Sequence, residues 1–148
     1  MAVIARLLNL GCGPYRIEGY VNIDINPKQS AADLIRDVRY GLPYDDNSVD
    51  GINASHFLEH LNCTEMLYVL EECWRVMKAG THMKIVVPLM DFSSLDHKQY
   101  LSEDAFDIFG RDAAQYYNRR FKWDISNKSV KTDSNKRSNL HITFEAVK

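Results

Sequence analysis

The crowding of the first three apolar runs constrains this chain more than any other feature. Ala5 to Leu10 reads as a buried strand that ends abruptly in Gly11-Cys12-Gly13-Pro14. Tyr20 to Ile25 is a second short run, stopped by Asn26-Pro27, and Ala32 to Val38 a third, short enough for a sheet edge. The gaps between them are about ten residues or fewer, at or below the shortest crossover that can carry a helix between parallel strands. A parallel sheet built from these runs must therefore have vestigial helices at this end. Part of one sheet face then needs another cover, and a homodimer would supply it.

The remainder alternates strand and helix. Gly41 to Asn47 is turn chemistry, and Val49 to Ser55 follows as a fourth strand. Asn62 and Glu65 have the form of a capping box. Behind them Met66, Leu67, Leu70, Cys73, Trp74 and Met77 recur at three- and four-residue spacing, which predicts a helix stopped by Gly80. Met83 to Val87, bounded by Pro88, is a buried strand. A second helix is expected from Ser102 to Tyr117 on the stripe Phe106, Phe109, Ala113 and Tyr116. Phe121 to Lys131 and Leu140 to Val147 form an antiparallel hairpin whose turn holds Lys136 and Arg137. The pattern predicts one α/β domain over residues 1–148, with a mostly parallel sheet, a C-terminal antiparallel hairpin and reduced early helices.

Composition narrows the setting. Eighteen Lys and Arg against 20 Asp and Glu leave −2, so nothing general attracts nucleic acid or an anionic membrane. No apolar run approaches the roughly 18 residues that span a bilayer. The first ten residues lack the form of a signal peptide, and Cys12, Cys63 and Cys73 are scattered and odd in number. A cytoplasmic protein with structural cysteines is the expectation.

Three clusters carry chemistry. Gly11 and Gly13 at a strand's carboxyl end let backbone approach a ligand, and Asp24 at the end of the next strand can accept two hydrogen bonds from a ribose diol. The second cluster is His56-x-x-Glu59-His60. If residues 56–60 were helical, the two imidazoles would share a face and hold zinc with Glu59 as base, a metallohydrolase arrangement. Against this, the capping signal starts the helix after the motif, so no metal is expected. The third cluster, Asp91, Asp96, His97 and Tyr100, follows the fifth strand and faces the same sheet edge as Gly11.

The longer run is more specific than any of its parts. Leu8-Asn9-Leu10-Gly11-Cys12-Gly13 leads to Gly19-Tyr20-Val21-Asn22-Ile23-Asp24, then Asp37, then Leu42-Pro43-Tyr44 and Ser48-Val49-Asp50. Ser55-His56-x-Leu58-Glu59-His60, Glu72-Cys73-x-Arg75-Val76-x-Lys78-x-Gly80 and Ile85-Val86-Val87-Pro88 follow in order. This run resembles the class I S-adenosylmethionine-dependent methyltransferases, in particular the compact type 11-like enzymes of bacteria and their phages. The resemblance covers Arg6 to Pro88 well and the C-terminal 60 residues loosely.

By position it implies a Rossmann-like fold and S-adenosylmethionine as cofactor. Gly11 and Gly13 would lie under its methionine part, Asp24 on its ribose, Ile25 on the adenine face and Asp37 with Val38 at the adenine edge. Ser55 and His56 would lie near the sulfonium. His56 or His97 could remove a proton from an oxygen or nitrogen acceptor. The acceptor is not legible; a small molecule or sugar suits the charge balance better than nucleic acid. Asn9 stands where many relatives carry an acid, and Lys78-Ala79-Gly80-Thr81 replaces Lys-Pro-Gly-Gly. The missing early helices also admit a second reading, a catalytically degenerate cofactor-binding or interaction protein.

Overall fold

A computed structural model describes residues 4–110 and 117–148. Seven strands form one sheet: β1 (Leu7–Leu10), β2 (Val21–Asp24), β3 (Leu34–Ile35), β4 (Val49–Ser55), β5 (Met77–Pro88), β6 (Trp123–Thr132) and β7 (Ser138–Ala146). Their spatial order is β3-β2-β1-β4-β5-β7-β6. The first five strands run parallel, and β7 lies antiparallel between β5 and β6. The expected Rossmann-like sheet with its C-terminal hairpin is therefore present.

One α-helix, α1 (Cys63–Val76), lies wholly within the described residues, and Tyr117 is also helical. Its capping box is complete: Asn62 Oδ1 accepts from the Glu65 N–H at 2.9 Å, and Glu65 Oε2 from the Asn62 N–H at 2.8 Å. Single 3₁₀ turns at Val38–Tyr40 and Leu58–His60 flank the neighbouring loops. No helix joins β1 to β2 or β2 to β3, as the short gaps require. Among the described residues no helix is long and apolar enough to cross a membrane.

Two helix expectations are corrected. The helix from Asn62 stops at Val76, and Met77 already pairs with Val49; Gly80, at φ +74°, turns the chain inside the long β5 instead of ending a helix. From Ser102 to Gly110 the chain forms turns and a 3₁₀ helix (Asp107–Gly110) where an α-helix was expected, while the rest of that prediction up to residue 116 lies outside the described residues. Its apolar stripe is nonetheless used. Phe106 and Phe109 are buried against Phe144, and Phe109 also against Phe121, with ring centroids about 6 Å apart, the spacing of favourable aromatic pairs.

The two sheet faces differ because every strand alternates. One face carries Leu8, Leu10, Ile23, Ile52, Ala54, Met83, Ile85, Ile142 and Phe144, all in one core with the α1 side chains Met66, Leu70 and Cys73. On the other face, Asn22, Asn9, Asn53, Lys84, Thr143 and Asn127 stand in register across six strands. The face that lacks helices is thus polar. Covering apolar surface does not require a second copy there, which removes the physical reason for expecting a homodimer.

The asparagines also replace the missing helices. Asn9 Nδ2 donates to Asn22 Oδ1 and Asn53 Nδ2 to Asn9 Oδ1, both at 2.9 Å. Asn22, fully buried, takes the Ile17 N–H on Oδ1 and donates Nδ2 to the Tyr20 carbonyl and Asp33 Oδ2. Asp33 in turn holds Arg16 at 2.7 Å. One side-chain network therefore pins both loops that stand where crossover helices would be.

Candidate functional site

The chain leaves β1 toward β2 on one side and, after β3, returns to place β4 on the other. Ligands of open α/β sheets bind at such a switch point, outside the strands' carboxyl ends. A cavity of about 440 Å³ opens there, within the range of small-molecule sites. Gly11, Gly13, Asp24, Ile25, Asp37, Val38 and His56 all line it. Seven residues singled out from sequence are thus brought together by β1, β2, β4 and the turn after β3.

Two glycines shape its floor. Gly11 has φ +63°, and a Cβ there would sit 2.5 Å from the Phe57 ring; Gly13 has φ +50° and open space where a Cβ would project. Only glycine satisfies both demands at Gly11 without displacing an aromatic side chain. Asp24 is aimed by its own backbone contacts. Its Oδ2 accepts from the Gly13 N–H and its Oδ1 from the Asn26 N–H, each at 2.8 Å. Each carboxylate oxygen keeps a further lone pair for a diol.

In the turn after β3, Arg39 grips Asp37 through Nε at 2.9 Å and Nη2 at 2.7 Å, and reaches Glu65 at 3.0 Å. This guanidinium holds the Asp37 carboxyl below its usual range. Asp37 thereby fixes the turn that lines the cavity. Ser55 does not line this cavity. It lies with Asn9, Tyr15 and Asn53 in an adjoining groove of about 450 Å³ that shares Gly11, Gly13 and His56 with the first cavity. Cys12 and Cys73 are buried, and burial pushes both thiols above their usual value, away from nucleophilic use.

A second cavity, about 600 Å³, adjoins the first through His56 and His60. Glu59, His97, Asp91, Asp133, Lys136 and Arg137 also line it. Here the hairpin tip, a plain charged turn in the sequence, reaches the site. His56 sits at φ +52°, and its Nδ1 lies 3.7 Å from Glu59 Oε1; the carboxylate raises the imidazole's pKa while burial opposes it. Residues 56–60 form no α-helix, so the shared face on which a His56–His60 zinc pair depended does not exist. Sequence reasoning missed Phe57, Arg39 and the hairpin tip, whose roles come from contacts far along the chain.

Residues 8–85 match the family model of a methyltransferase domain. No curated protein matches the chain in sequence. Among solved structures, the fold is similar to a S-adenosylmethionine-dependent methyltransferase of Methanosarcina mazei (TM-score 0.67, 16% identity, 99% of this chain and 94% of that one). It is also similar to one from Archaeoglobus fulgidus (TM-score 0.64, 19% identity, 95% and 86%). A third likeness is to a variant 16S rRNA (adenine(1408)-N(1))-methyltransferase of Catenulisporales acidiphilia solved with its cosubstrate S-adenosylmethionine (TM-score 0.66, 14% identity, 97% and 85%). At these identities the structures speak for the fold, and the family model for the family. The chain belongs to the methyltransferase domain family, within the class I S-adenosylmethionine-dependent methyltransferases.

Proposed function

We propose that this protein moves the methyl group of S-adenosylmethionine to an oxygen or nitrogen of a small molecule or sugar, with His56 as the proton acceptor. The cofactor supplies a methyl carbon already activated by a positive sulfur. Gly11, Gly13, Asp24, Ile25, Asp37 and Val38 would hold it in the first cavity. Alignment is then the protein's main task, together with removal of one proton from the acceptor.

The position of His56 carries this reading. Its imidazole borders both cavities, so it stands where donor and acceptor meet. With Nδ1 turned to Glu59, Nε2 is the nitrogen that takes the proton as the acceptor's lone pair bonds to the methyl carbon and the carbon–sulfur bond breaks. His97 borders the second cavity alone and is the poorer base for that encounter. The likeness to an rRNA enzyme concerns the fold; a net charge of −2 favours small acceptors.

Label transfer from methyl-labelled S-adenosylmethionine to panels of small alcohols, sugars and amines tests the proposal. The wild type should label a subset of the panel. His56→Gln should lose about 10²–10⁴-fold in kcat with cofactor affinity retained. An unchanged kcat in that variant overturns the assignment of the base.

A further inference from the structure

Glu59 is the least explained side chain near the site. It is 1% exposed, and its Oε2 has no hydrogen-bond partner. Its Oε1 has only the more distant imidazoles, His56 Nδ1 at 3.7 Å and His60 Nε2 at 3.9 Å. A buried carboxylate left this bare is costly unless a cation completes it.

The surroundings supply the other ligands. One atom each from Glu59, His60 and His97 lies within 4.8 Å of the others, and the two imidazoles meet edge to face with centroids 5.0 Å apart. His60 Nδ1 lies 3.2 Å from the Asp96 carbonyl oxygen, and His97 Nδ1 3.3 Å from that of Asp91. Each backbone acceptor fixes the ring proton on Nδ1 and leaves the Nε2 lone pair free, the outer-shell arrangement that orients metal-bound histidines. The loop is tied down as well. The Lys98 and Gln99 N–H groups both donate to the Glu59 carbonyl, at 2.8 and 3.1 Å, which sets His97 beside the carboxylate.

We propose that Glu59, His60 and His97 bind one divalent transition-metal ion of the zinc class, whose remaining positions hold an oxygen of the acceptor. Two imidazole nitrogens and one carboxylate oxygen suit that class, and three protein ligands leave room for a substrate. All three residues line the second cavity, and His60 also borders the first, so an oxygen held there lies beside the methyl donor. A cation at that oxygen lowers its proton affinity and eases transfer of the proton to His56. The set differs from a His56–Glu59–His60 motif: Glu59 is a ligand, and His97 comes from a loop 37 residues away by the numbering of His60 and His97. The acceptor role rests on the methyl-transfer reading; the metal site does not.

Calorimetric titration of chelator-stripped protein with ZnCl₂, repeated with Co²⁺ by visible absorbance, tests the site. One equivalent should bind and raise the wild-type melting temperature. Glu59→Gln and His97→Ala should each weaken binding by more than the roughly 10–100-fold that loss of an outer-shell partner costs, or abolish it. Circular dichroism checks that both variants fold, and His97→Gln replaces His97→Ala if the latter does not. Absence of zinc binding by the wild type, or binding indifferent to both substitutions, overturns the site. S-adenosylhomocysteine titrated into the same samples reads the first cavity separately. Loss of the metal alone therefore condemns this inference, and loss of the cofactor alone condemns the methyl-transfer reading.

Discussion

The two faces of one sheet solve the same problem by different means. On the α1 side, apolar side chains from all parts of the sheet meet a helix and an aromatic group centred on Phe144. On the opposite side, an asparagine row and two loop clasps do the work of crossover helices. The first face is held by area removed from water, the second by satisfied polar groups that would be expensive to strand. The comparison shows how a class I fold survives in 148 residues: helices can be dispensed with where the sheet face beneath them is already polar.

Substitutions should separate the two faces sharply. Phe144→Ala removes a fully buried ring stacked on Trp123 at 5.4 Å and should cost about 3–5 kcal/mol in denaturant unfolding. Asn22→Ala, equally buried but on the polar side, strands Asn9 and the Ile17 N–H and should cost about 2–4 kcal/mol. If Asn22→Ala proved neutral, the network would be incidental to the fold. Lys84→Ala, in the same row but exposed, should stay within about 0.5 kcal/mol of wild type.

Acid provides a finer probe of the clasp. Hydrogen bonds from the Asn22 N–H and side chain, then Arg16, pull the Asp33 carboxyl from 3.8 to about 2. A folded-state pKa below the unfolded one means that this contribution is complete above about pH 3.8 and is lost as pH falls toward 2. Asp33→Asn should therefore flatten the acid limb of stability between those values, and an unchanged limb would show that the clasp bears no load.

Legibility in the sequence followed the range of the interactions. The β4 strand and the Asn62–Glu65 capping box are written in adjacent residues and appear where the pattern put them. The end of α1 was misplaced because Gly80 looks like a helix stop, whereas pairing of Met77 with Val49 had already drawn the chain into the sheet. The polar face is readable in the alternation Ile52-Asn53-Ala54-Ser55, of which only Ile52 and Ala54 join the core. Gly11, Gly13 and Asp24 sit within one strand–loop–strand unit, so their convergence was legible. Arg39 on Asp37, Phe57 beneath Gly11 and the hairpin tip beside His97 depend on tertiary contacts that no local pattern announces.

If the edge built by Gly11, Gly13 and Asp24 holds S-adenosylmethionine without crossover helices between β1, β2 and β3, cofactor binding must depend on that edge. Calorimetric titration with S-adenosylhomocysteine tests it most directly, with NAD as the control ligand and Asp24→Asn as the control protein. The sulfur ligand should bind one-to-one with micromolar affinity, NAD should give no response, and Asp24→Asn should lose at least about tenfold in affinity (about 1.4 kcal/mol) with its fold intact. Binding that ignores Asp24→Asn, or none at all in the wild type, would contradict it.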